Sequence, residues 1–130
     1  MGLEERRKIK EYQDTTIPER TKELEEIVGG LIPYDIDWET FASDSEALRF
    51  LDNLSCHRIN MAMRTICIDD LGKEAVRDTI KSIKLKNVQS KDEMSIGVDG
   101  GALSMALNNS KGTEGYYSDT EIKNVLMANL

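Results

Sequence analysis

The hydrophobic period of this chain changes near Ile80, and that change limits the fold more than any other feature. Beyond it, Ile83 and Leu85 alternate with Lys84 and Lys86, and Met94, Ile96 and Val98 with Ser95, Gly97 and Asp99. Leu103, Met105 and Leu107 then alternate with Ala102, Ser104 and Ala106. A period of two is the mark of a half-buried strand. Asp99-Gly100-Gly101 between two such runs is a hairpin signal, because glycine accepts the positive φ angles of a tight turn. An Asp99-Gly100 loop would set Ile96 opposite Leu103; a Gly100-Gly101 loop would set Val98 opposite Leu103. Both leave the same residues on one face. Setting Leu85 opposite Ile96 and Ile83 opposite Val98 also keeps the apolar faces together. The expectation is an antiparallel meander over 81–108.

Before Ile80 the period is helical, except over 31–38, where Tyr34, Ile36 and Trp38 alternate with Asp35 and Asp37. Ser43-Asp44-Ser45-Glu46 reads as a capping box, with Ser43 the N-cap. The helix it opens, 44–69, carries Leu48, Leu51, Leu54, Ile59, Met61, Ala62, Met63, Ile66 and Ile68. That is more than one apolar stripe, so the helix must be largely covered, by its own domain or by a second copy. Asp69-Asp70 marks a break, with Asp70 capping a second helix through Ala75, Val76 and Ile80; the alternative is one helix over 44–80 with Gly72 its weakest point. Upstream, Pro18 and Glu19 suit a first helical turn. Leu24, Ile27 and Val28 form one face, and Gly29-Gly30 ends the helix. Residues 31–38 read as extended, with Pro33 confining them to a sheet edge or a strand start. Residues 1–15 have few apolar positions and read as a loosely attached helical arm. Ser118-Asp119-Thr120-Glu121 is a second capping box, with Tyr117 and Ile122 as its hydrophobic staple.

A chain of 130 residues, 39% of them hydrophobic, suffices for one domain with its own core, 1–130. The net charge of −7 argues against nucleic acid and anionic membranes as partners. No apolar run approaches the ~20 residues that span a bilayer, and the charged N-terminus has no signal-peptide core. Two cysteines make no disulfide framework. A cytoplasmic setting is expected.

Cys56, His57 and Arg58 are adjacent in the densest apolar run. Helical neighbours point about 100° apart, so Cys56 and His57 do not face each other as a nucleophile and its base. Cys56 and Cys67 lie three turns apart, roughly 16 Å, too far for a disulfide or a shared metal. Both read as buried structural thiols. Arg58 and Arg64 in apolar surroundings need carboxylate partners, with Asp35, Asp37, Asp52 and Asp69 available, or they serve an anionic ligand. Asp35, Asp37 and Glu39 share a strand face without the rest of a calcium motif, and Lys84 and Lys86 resemble edge-strand lysines. Gly97-Val98-Asp99-Gly100-Gly101 lacks the lysine and threonine of a phosphate loop. The polar loop 108–117, with Tyr116 and Tyr117, runs into a helix N-terminus, a place where anions bind. No cofactor or metal is expected.

Together these features give an α+β fold: a three- to four-stranded antiparallel sheet with helices packed on one face around the 44–69 helix. The leading functional expectation is a small non-catalytic domain that self-associates as a homodimer. The alternative is a binding module or enzyme for a small anionic ligand, using His57, Arg58, Arg64, Tyr116 and Tyr117.

Overall fold

The computed structural model describes residues 2–130, the side chain of Thr113 excepted. The fold is α+β, with helices against a four-stranded sheet of order β1-β2-β4-β3. The strands are β1 (Tyr34–Ile36), β2 (Ser82–Asn87), β3 (Ser95–Asp99) and β4 (Ala102–Leu107). β1 and β2 are parallel, β2 and β4 are parallel, and only β3 and β4 are antiparallel. The sheet is therefore mixed, and the expected antiparallel meander is wrong. β2 pairs with β4, Ile83 opposite Leu103 and Leu85 opposite Met105, and β3 is displaced to the edge. Burial supplies the reason. Ala102, Leu103, Met105, Ala106 and Leu107 are all buried, on both faces of β4, whereas no residue of β3 is. A strand with no exposed residue belongs inside a sheet and not at its edge. Lys84 and Lys86 accordingly lie on an interior strand, exposed on the face that no helix covers.

The hairpin uses the Gly100-Gly101 loop, with φ of 58° and 82°. Asp99 is opposite Ala102 and Val98 opposite Leu103. β1 is short, follows Pro33 directly and lies at the other sheet edge.

Six α-helical segments occur among the described residues: α1 (Leu3–Glu11), α2 (Ile17–Val28), α3 (Ser45–Leu51), α4 (His57–Ile66), α5 (Asp70–Thr79) and α6 (Asp119–Met127). α1 and α2 are joined by a π turn, Tyr12–Thr16, in which the Ile17 N–H donates to the Tyr12 carbonyl. Pro18, sited in a continuous helical run, has no N–H for the Asp14 carbonyl and crowds it, and the widened turn relieves this. Thr16 is helical and caps nothing.

The long central helix expected over 44–69 is also divided. A second π turn, Asp52–Cys56, separates α3 from α4, with the His57 N–H donating to the Asp52 carbonyl. α4 stops at Ile66, because Cys67 leaves the helical region at ψ 42°. Asp44, not Ser43, caps α3 by accepting from the Ala47 N–H at 3.0 Å. Asp69, not Asp70, caps α5 by accepting from the Gly72 N–H at 2.8 Å. Ser118 and Glu121 form their capping box on α6 as expected.

The core lies between the helices and one sheet face. Leu48, Leu51, Cys56, Ile59, Ala62 and Met63 meet Ile83, Leu85, Leu103 and Met105 there. Apolar surface that reads, in the sequence, as wanting a second copy is thus covered within one chain, Ile68 excepted. Ile9 and Tyr12 also reach this core, and the Tyr12 hydroxyl donates to the Leu48 carbonyl.

Candidate functional site

The densest polar constellation lies where α2 crosses the second π turn. Arg20 grips Asp52 with two hydrogen bonds, Nε to Oδ1 at 2.7 Å and Nη2 to Oδ2 at 2.9 Å. Its Nη1 donates to Glu23 Oε1 at 3.1 Å. Asn60, buried on α4, donates to the same Glu23 oxygen at 2.6 Å and to the Arg20 carbonyl at 3.1 Å. The Tyr34 hydroxyl donates to Asn60 Oδ1 at 2.5 Å. Asn60, followed by Arg20 and Arg64, holds the Glu23 carboxyl below its ordinary range. The Arg20 guanidinium is held charged by its bond to Asp52, and burial pushes the Tyr34 hydroxyl well up. The members are satisfied by one another, which suits a network that fixes the packing of α2, α4 and β1. Sequence reasoning missed it. Arg20 and Glu23 are three apart on α2, and only the fold brings Asp52 and Asn60 to them.

A second polar group sits at the carboxyl ends of β2 and β4. Asn87 Nδ2 donates to the Thr40 carbonyl at 3.0 Å and to Asp44 Oδ2 at 3.2 Å, while Asn109 donates to Asn87 Oδ1 at 3.2 Å. These bonds pin the 108–117 loop and the α3 cap to the sheet. They use up the groups that make them.

The residues singled out in the sequence are only partly gathered. Arg58 and Tyr116 meet, with the guanidinium centre 5.5 Å from the ring centroid, a cation–π contact. Arg58 Nε is buried and has no acceptor. Among the described residues no carboxylate pairs with Arg58. Arg64 points elsewhere: it is largely exposed and lies 3.5 Å from Glu23, not beside any of the four expected aspartates. His57 is half-buried at the first position of α4, one residue and about 100° from Arg58. Tyr117 packs against the core, and burial raises its hydroxyl pKa. Cys56 and Cys67 are free and buried, and burial raises both thiols. Asp35, Asp37 and Glu39 line a cavity of about 720 Å³ on the uncovered sheet face with Lys84 and Lys86, and Asp35 is opposite Lys84.

Among the described residues, two surfaces stand out as having no partner inside the chain. The first is a shallow apolar groove where Ile68, Leu71, Met127 and Leu130 are exposed by 79%, 76%, 54% and 39%. The second is the outer edge of β3. It is the last strand of the sheet, and among the described residues no hydrogen bond reaches its outer backbone. No helix is long and apolar enough to cross a membrane among the described residues.

No protein-family model matches the chain, and no curated protein or solved structure matches it.

Proposed function

We propose that this chain is a small, non-catalytic domain that self-associates as a homodimer in a reducing, cytoplasmic setting. The observation that carries this reading is the open edge of β3. Exposed edges invite pairing, and proteins blunt them with lysine, proline, bulges or a covering segment. β3 (Ser95-Ile96-Gly97-Val98-Asp99) contains no lysine or proline, and it carries the half-buried apolar residues Ile96 and Val98. β1, at the opposite edge, has three residues and follows Pro33. Sedimentation equilibrium over a wide concentration range tests the reading. A mass rising to twice 14.7 kDa supports it; 14.7 kDa at every concentration removes it.

A second reading, a module for a small anion, has one observation in its favour. Arg58 offers a charged group with a buried, acceptor-free Nε beside Tyr116. A carboxylate or phosphate there would supply the missing acceptor. Inorganic phosphate should then raise the melting temperature of the natural protein and leave that of Arg58→Ala unchanged, with both variants folded by circular dichroism. Equal shifts in the two would dismiss Arg58 as the ligand.

A further inference from the structure

Resting on the self-association reading, we infer that the second copy pairs antiparallel along β3 across a twofold axis through Gly97. The two sheets then join into one.

The direction of each backbone group in β3 follows from the hairpin. A two-residue loop at Gly100-Gly101 is closed by the hydrogen-bonded pair Asp99 and Ala102. In an antiparallel ladder bonded and non-bonded pairs alternate. Gly97 with Ser104 and Ser95 with Ala106 are therefore bonded pairs, and Ile96 and Val98 turn their N–H and C=O groups away from β4. The opposite side of β4 agrees: the carbonyls of Gly101 and Leu107 accept from Lys81 and Val88 on the β2 side, so the even-numbered residues of β4 face β3. The free edge of β3 thus presents the backbones of Ile96 and Val98.

An axis at Gly97 uses both. Ile96 meets the partner's Val98 and Val98 the partner's Ile96, each pair exchanging both backbone hydrogen bonds. Side chains agree as well. Ile96 and Val98 lie on the helix-covered face with Met105 and Leu103 opposite, so the new pairs prolong the apolar face. Ser95 falls opposite the partner's Asp99, a hydroxyl against a carboxylate. No like charges are opposed.

Other registers are worse. An axis at Ile96 sets Asp99 against the partner's Glu93, and like charges directly opposed are destabilising. An axis at Val98 runs the ladder into the Gly100-Gly101 turn. Parallel pairing would put the two helix layers on opposite faces of the joined sheet, interrupting the apolar face. The absence of a side chain at position 97 also fits. Nothing lies within 4 Å of a Cβ built there, and its backbone needs no positive φ.

The test is cysteine cross-linking. With the axis at Gly97, the two copies of residue 97 form a non-bonded pair about 4.5 Å apart, inside the range a disulfide bridges. Two copies of residue 95 would be about 14 Å apart, out of reach. Cys56 and Cys67 are buried and give no background. Under mild oxidation Gly97→Cys should run mainly as a disulfide-linked dimer on non-reducing gels, while Ser95→Cys and the natural protein run as monomer. If the natural protein sediments as a dimer but Gly97→Cys links no better than Ser95→Cys, the axis is wrong and self-association stands. A dimer dissolved by Leu71→Glu, with no Gly97→Cys cross-link, assigns the interface to the apolar groove and overturns the proposal. A natural protein that is monomeric at all concentrations removes both.

Discussion

Replacing Asp52 by alanine should lower stability by about 2 kcal/mol, the scale of losing charge-assisted hydrogen bonds that are partly open to water. Two such bonds from Arg20, at 2.7 and 2.9 Å, disappear. Each contributes roughly 1.5–3 kcal/mol when its loss leaves a charge stranded. Solvent and Glu23 reduce the cost. The side chains of Arg20 and Asp52 are 23% and 25% exposed, and Arg20 keeps Glu23 at 3.1 Å. The result belongs between the ~0–1 kcal/mol of an exposed pair and the ~3–5 kcal/mol of a fully buried one that loses a partner. For a chain of this size that is a fall of about 8 °C in melting temperature, at roughly 4 °C per kcal/mol. Urea unfolding of Asp52→Ala, Arg20→Met and the double variant isolates the pair, at one fixed protein concentration because association adds to apparent stability. A coupling energy above about 1 kcal/mol is expected. A value under about 0.5 kcal/mol would show that this polar network does not hold α2 to the second π turn.

Alkali should unfold the protein in a predictable window. Burial, followed by the Asp52 charge, raises the Tyr12 hydroxyl from 10.0 to about 12, and burial raises Tyr34 and Cys56. The folded chain keeps protons that the unfolded chain releases, so this stability is intact below pH ~9 and is lost as pH rises toward ~12. Stability that stays flat in urea titrations from about pH 9 to about pH 11.5 would contradict the burial of these groups. Both thiols are buried and should resist a disulfide reagent until the protein unfolds; rapid native labelling of Cys56 would place it at the surface. A Cβ at position 115 would overlap the Asn108 carbonyl oxygen, whereas one at position 97 meets nothing. Gly115→Ala should therefore cost about 2 kcal/mol or more, the scale of forced overpacking. Gly97→Ala should change stability by less than about 0.5 kcal/mol, as surface substitutions do. Equal effects of the two in urea would mean that the 108–117 loop is not packed as described.

The elements were legible wherever local chemistry decides them. Ser118 and Glu121 announce α6, and the alternation of Ile83 to Leu107 announces strands with one shared apolar face. Strand order was not legible, because Ile96 and Leu103 are equally good neighbours for the apolar face of β2. The signal that decides it was present but weak: Ala102 and Ala106, small and apolar, make β4 acceptable on both faces. The central helix misled in another way. Its excess of apolar residues implied a second copy, yet the sheet, α2 and α6 cover them, and only Ile68 stays exposed. Of the candidate site, Arg58 and Tyr116 come together through the 108–117 loop. Arg64 and Tyr117 go elsewhere, because six residues of helix and one residue of loop turn them to other neighbours.

The pairing of β3 is tested most directly by hydrogen exchange at single amides. The N–H groups of Ile96 and Val98 should be protected at concentrations where the protein sediments as a dimer and exchange freely on dilution. Gly97, bonded within its own sheet, should stay protected at both. Free exchange of Ile96 and Val98 in a sample whose mass is that of a dimer would contradict the pairing.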